Sequence, residues 1–137
     1  MNHPSAALGS LLSKLEPRRQ PGVYAFVSVP PGADFAALHP LALFHEPEGV
    51  TLIIDEDRAG CASWPVRMRA AWLTLTVQSD LQAVGLTAAV ATALAGAGIA
   101  CNVVAAVHHD HLFVPVEHAD AALAALAALQ RGAAASG

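Results

Sequence analysis

A chain of 137 residues, 55% apolar and 13% charged, has ample material for one ordinary core or two very small ones. Its formal net charge of −4, with no basic run, argues against nucleic acid as the main partner. Cys61 and Cys101 stand far apart, in neither CxxC nor zinc-ligand spacing, so two buried thiols in a reducing cytoplasm are expected, with no metal and no cofactor.

In chain order, Leu8, Leu11, Leu12 and Leu15 recur at helical spacing, with Ser5 able to cap the helix and Pro17 to end it. Arg18 to Gly22 reads as a turn. GVYAFVSV then alternates as a strand, with Val23, Ala25, Val27 and Val29 on one side. Residues 30–40 form a loop with room for a short helical turn. LALFH (41–45) and VTLIID (50–55) are strands joined by EPEG, where Gly49 suits a hairpin. Residues 55–65 read as a linker with room for one helical turn. RAAWLTLTVQ (69–78) is a strand. Ser79 and Gln82 have capping-box spacing, so a helix is expected to start there or one turn later. Its buried stripe is Leu86, Val90 and Leu94, and Gly96 or Gly98 closes it. IACNVVAAV (99–107) is expected as a strand buried on both faces, with HLFVPV (111–116) as its hairpin partner. The last helix carries Leu123, Leu126 and Leu129 and is expected to stop at Gly132. The charge-free run between Asp80 and Asp110 is long enough to cross a bilayer. Its Ala, Gly and Thr content, with Gln82, Asn102 and two histidines, fits a buried helix and strand better, so no membrane span is expected. The start, MNHPSAALGS, lacks the layout of a signal peptide, and a cytoplasmic protein is expected.

The order α-β-β-β, linker, β-α-β-β-α predicts an α+β fold. The second half holds most of a ferredoxin-like βαββαβ sandwich, antiparallel, with helices on one face. It lacks the last strand, and a strand from the first half could fill that place. Two interlocked halves follow: residues 1–60, degenerate, and residues 66–132.

Asp80, Gly85-Leu86, Val90, Leu94, Gly98-Ile99 and Asn102 carry a pattern that resembles the ACT-domain family. The segments VYAFVSV (23–29), EPEGVTLII (46–54), SDLQAVGLTAAVATALAGAGIACNVVA (79–105) and HHDHLFVP (108–115) resemble, in this order, a group of standalone bacterial proteins with two ACT-like halves. The resemblance implies regulation without catalysis. It implies units paired side by side as a homo-oligomer, most simply a dimer, and a small-molecule ligand, often an amino acid, at the turn between first strand and first helix. No proline precedes Gly85 and the turn is long, which resembles aspartate-kinase-type regulatory units more than phenylalanine-binding ones.

The candidate ligand-binding residues are Ser79, Asp80, Val84, Gly85, Leu86 and Asn102. A helix N-terminus exposes N–H groups and partial positive charge that attract a carboxylate. Gly85 would let a ligand approach the backbone. Asp80, or Glu46 or Glu48 from the other half, could hold an ammonium group, and Asn102 offers donor and acceptor. The plainer alternative is that Ser79 and Asp80 cap a helix, Gly85 permits packing, and Asn102 serves a turn. His109, Asp110, His111 and Glu48 are candidates for an interface or ligand contact. Two histidines two apart share a strand face and could hold a metal with a carboxylate, but a structural or interface role is favoured over a metal centre. No nucleophile elbow or phosphate-binding glycine loop is present, and no catalytic residue is assigned. Three readings result: a small-molecule sensor, a ligand-free oligomerisation or docking module, and, last, a metal-dependent enzyme centred on residues 108–111.

Overall fold

The computed structural model describes residues 4–59 and 64–136, with side chains from residue 7 onward. The elements are α1 (Pro4–Ser13), β1 (Pro17–Arg19), β2 (Tyr24–Val29), a 3-10 turn (Ala36–Leu38), β3 (Ala42–Glu46), β4 (Gly49–Asp55), α2 (Glu56–Ala59), β5 (Val66–Leu75), α3 (Leu86–Gly96), β6 (Asn102–Ala105), β7 (Asp110–Pro115), a second 3-10 turn (Val116–His118) and α4 (Ala119–Ser136). They divide into two compact units. The central unit is Pro21–Ala71, and the terminal unit comprises the chain up to Gln20 and from Trp72 onward. The expected Ser5 cap and Cys61 lie outside the described side chains.

In the central unit β2 pairs antiparallel with β4 from Tyr24↔Asp55 to Val29↔Val50, and β3 pairs antiparallel with β4. The other side of β2 pairs antiparallel with the start of β5, with a register shift between Phe26 and Val27. Strand alternation sends Ala25, Val27 and Val29 into the core with Val50, Leu52, Ile54 and Ala59, as the sequence pattern predicts. The loop residues Phe35 and Leu38 and the indole of Trp64 pack against that cluster. The β3–β4 connection is a two-residue turn, Pro47-Glu48, with Glu46 opposite Gly49. Gly49 is required by close approach: a Cβ there would lie 2.4 Å from the Val29 carbonyl oxygen.

In the terminal unit β6 and β7 form an antiparallel hairpin, β7 neighbours β5, and β1 pairs antiparallel with the end of β5 through Pro17↔Leu75 and Arg19↔Leu73. The helices α1, α3 and α4 pack on one another. Leu86 and Val90 of α3 meet Leu75, Val103 and Leu112 of the strands. The missing sixth element of the βαββαβ unit is thus supplied from the first part of the chain, by β1.

Several expectations are corrected. Pro17 begins a strand instead of only ending a helix, because the first residue of an edge strand can do without a ladder N–H. The α1–β1 corner is held from α4. The Gln130 carboxamide accepts from the Glu16 backbone N–H (2.8 Å) and donates to the Ser13 carbonyl (3.1 Å), and Glu16 adopts φ +42°. Helix α3 starts at Leu86, about two turns beyond Ser79 and so later than the capping-box spacing predicts, with Gly85 at its N-cap in a left-handed conformation and no side-chain cap. Its end is a Schellman motif: Gly98 N–H donates to Ala95 O and Ile99 N–H to Leu94 O, both at 2.9 Å, with Gly98 at φ +73°. Strand β6 is not buried on both faces. It is a short edge strand with Asn102, Val104 and Ala105 exposed, while Ile99 instead packs at the helix end. Helix α4 continues through Gly132 to Ser136, because the alanines that follow are strong helix formers and the Ser136 hydroxyl bonds the Gly132 carbonyl.

Candidate functional site

The loop from β5 to α3, residues 76–85, builds the candidate site. Its start is anchored where the Thr76 hydroxyl donates to the Glu16 carbonyl (3.0 Å). A turn follows, in which Ala83 N–H donates to Asp80 O at 2.9 Å. Between them the Ser79 hydroxyl donates to Asp110 Oδ2 at 3.0 Å. Asp110 opens β7 and is only 6% exposed. A buried carboxylate requires donors, and a hydrogen bond to an ionised acceptor is among the stronger kinds. Ser79 therefore ties the loop to β7 and does not cap the helix.

An open cleft runs along this loop, lined by Ala7, Ser10 and Leu11 of α1, by Gln78, Ser79, Asp80 and Ala83, and by Val107 of the β6–β7 turn. A smaller adjoining hollow shares Asp80 and Val107 and adds Leu81 and Gln82. Of the six expected ligand residues, Ser79 and Asp80 line this cleft. Val84 projects into solvent at 88% exposure. Leu86 is 3% exposed and faces the core. A Cβ on Gly85 would lie 2.9 Å from Leu8 Cδ2, so the space a ligand would use to reach this backbone is occupied by α1. Asn102 is exposed on β6, opposite Phe113. Ser10, Gln78 and Val107 had no signal in the sequence, because only the fold of α1 over the loop brings them together.

The histidine stretch is split by its turn. Ala106 N–H donates to His109 O at 3.1 Å, so the reversal falls at Val107-His108 and the strand begins at Asp110. Asp110 faces the helices. His111 faces the other way, where its Nδ1 receives the Trp72 indole N–H at 3.0 Å and lies 3.1 Å from Thr74 Oγ1. The Gln20 amide donates to that same hydroxyl oxygen at 3.0 Å. Trp72 also stacks on Phe113, with ring centroids 6.3 Å apart. Burial, with His109 adding to it, holds the His111 imidazole below the usual histidine value, and Asp110 opposes them. His109 Nδ1 is buried without a hydrogen-bond partner. Among the described residues no three His, Cys, Asp or Glu side chains are placed to hold a metal ion. Glu48 stands exposed in the central unit's hairpin turn, and Glu46 accepts from the Thr51 hydroxyl at 2.6 Å.

Comparison with known proteins agrees with this architecture. Two ACT domain models match, over residues 5–69 and 67–128. A Vibrio cholerae protein of unknown function, described as a possible transport protein, is 42% identical, with a TM-score of 0.84 over 93% of this chain and 99% of that one. The Agrobacterium tumefaciens protein Atu0741 is similar at 18% identity, with a TM-score of 0.65 over 83% and 87% of the two chains. The regulatory subunit of aspartate kinase from Thermus flavus is similar at 14% identity, with a TM-score of 0.61 over 82% and 95%. No curated protein matches the chain. The chain belongs to the ACT-domain family, with a ferredoxin-like α+β fold.

Proposed function

We propose that this protein is a non-catalytic, cytoplasmic regulator that binds a small molecule, with an amino acid as the first candidate class, and works as a homo-oligomer. Membership of the ACT family supports the regulatory part. The fold shared with the Thermus flavus aspartate kinase regulatory subunit points the same way. The observation that carries the ligand is the cleft over the β5–α3 loop, which combines a carboxylate (Asp80), hydroxyls (Ser10, Ser79) and an amide (Gln78) with apolar Val107 and Leu11. Asp80 would take the ammonium group, and the polar side chains would take the carboxylate. The site so drawn keeps Ser79 and Asp80 from the sequence pattern. It moves the rest of the lining from Val84, Gly85, Leu86 and Asn102 to Ser10, Gln78 and Val107.

Thermal-shift and calorimetric screening of the purified protein against the twenty amino acids tests this reading. A ligand at a hundred times its dissociation constant should add about 2.7 kcal/mol of stability. Asp80→Ala should remove that gain while leaving the unliganded stability within about 0.5 kcal/mol, as for a surface position.

A second reading rests on a different observation. Val104 is exposed on the open edge strand β6, Val107 is exposed in the turn that follows it, and exposed Leu81 lines a hollow with Val107. Such an edge is a template for pairing with another chain. A tight oligomer that responds to no amino acid would favour a ligand-free assembly module.

A further inference from the structure

We propose that His111 is a proton-operated latch between β5 and β7: neutral, it holds the Trp72 indole through Nδ1, and protonated, it lets that indole go. The chemistry of the donors carries this. An indole N–H can only donate, so at 3.0 Å it requires a lone pair on His111 Nδ1. The neutral ring must then carry its proton on Nε2. Adding a proton at Nδ1 turns the acceptor into a donor. Of its two neighbours, only Thr74 Oγ1, at 3.1 Å, can then receive it. Protonation thus exchanges the Trp72 contact for a Thr74 contact, on a hydroxyl that is 6% exposed and already receives the Gln20 amide.

The surrounding charges are few. His109 and Asp110 flank the ring on its own strand, one opposing and one favouring the added proton. On β1, Arg18 stands opposite Thr74 and is exposed. Across the hairpin His111 pairs in register with Val104, which does not titrate. Partial burial and His109 together favour the neutral, latched ring. The Trp72 and His111 rings are tilted at 55° with centroids 5.7 Å apart, so the indole N–H and the imidazole lie side by side in the latched state. The latch requires no ligand in the cleft and stands or falls independently of the sensor reading.

The test is nitrogen-15 NMR of the full chain from pH 8 to 4.5, following the His111 ring nitrogens and the two indole N–H signals, with Trp64→Phe to assign Trp72. At pH 8 His111 should show the Nε2-protonated tautomer. As pH falls, the Trp72 indole signal should move with the same midpoint as His111, below the ordinary histidine value of about 6.5. His111→Gln retains an acceptor oxygen and should make the Trp72 signal independent of pH. Trp72→Phe removes the donor and should raise the His111 midpoint. A Trp72 signal that stays flat through the His111 titration overturns the latch, as does one that still titrates in His111→Gln. Should Trp72→Phe fail to fold, the His111→Gln profile decides alone.

Discussion

The two units solve the same packing problem with different chemistry. Every described buried side chain of the central unit is apolar, and its core is an alternating array of valine, leucine, isoleucine and alanine closed by a loop and Trp64. The two buried polar side chains found among the described residues, Thr74 and Asp110, both belong to the terminal unit. Each is bonded to a group with a candidate role: Thr74 to His111, and Asp110 to Ser79 of the cleft loop. Burying a polar group costs free energy unless it is partnered, so a fold retains one where its position fixes something else. The central unit is thus built for packing, whereas the terminal unit gives up packing uniformity to fix a loop and a histidine.

The largest effect should come from the apolar core. Leu52→Ala, at a fully buried site, should cost about 2–5 kcal/mol in urea denaturation. Next is a matched pair of glycine substitutions, one in each unit. Gly49→Ala drives a methyl against the backbone oxygen of Val29, which cannot move without disturbing the β2–β4 ladder, and should cost about 3 kcal/mol. Gly85→Ala meets only the flexible end of Leu8, so its cost is mainly that of a left-handed backbone, about 1–2 kcal/mol. A larger residue at Gly85 should displace α1 and lower stability further. If Gly85→Ala instead abolished amino-acid binding with the melting point unchanged, the ligand would reach that backbone after all. Asp110→Ala leaves the Ser79 hydroxyl without its acceptor and should cost about 1–3 kcal/mol, together with faster hydrogen exchange in residues 76–85.

Most of this architecture is legible in the sequence where periodicity is local. Ala25, Val27 and Val29 announce their face by strict alternation, and Leu86, Val90 and Leu94 announce theirs by helical spacing. What escapes is whatever depends on a distant partner. Ser79 and Gln82 have the spacing of a capping box, but the Ser79 hydroxyl is engaged by Asp110, thirty-one residues on. The run at 99–107 is apolar enough for a central strand, yet β6 lies at an edge, because sheet order is set by pairing and not by composition. Pro17 carries a helix-stop signal that is equally a strand-start signal, and the end of β5 decides between them. In the candidate site, Asp80 and Ser79 were visible as polar residues before a Gly-Leu. Ser10, Gln78 and Val107 were not, since no spacing rule connects a helix near residue 10 to a turn near residue 107.

The smallest effect is one of pH, and it separates the two units without a mutation in either core. The His111 pKa is lowered in the folded protein, so between that value and the unfolded one of about 6.5 the unfolded chain binds more protons. Stability therefore rises with pH through this window. The contribution of the neutral ring is complete above the unfolded value, is lost progressively as pH falls below it, and is gone once pH is below the folded value. The ring is partly exposed, so solvent screens the effect, and it should be the mildest of those described here. Urea midpoints measured between pH 7.5 and 5 should decline for the native chain and decline less for His111→Gln. Hydrogen exchange should locate the loss in β7 and in Trp72–Leu75, the part of β5 that belongs to the terminal unit, with the amides of β2 and β4 unaffected. A decline of equal size in His111→Gln would assign the sensitivity to another histidine, and exchange spread evenly through β2 and β4 would remove the distinction between a unit built for packing and a unit built around its polar groups.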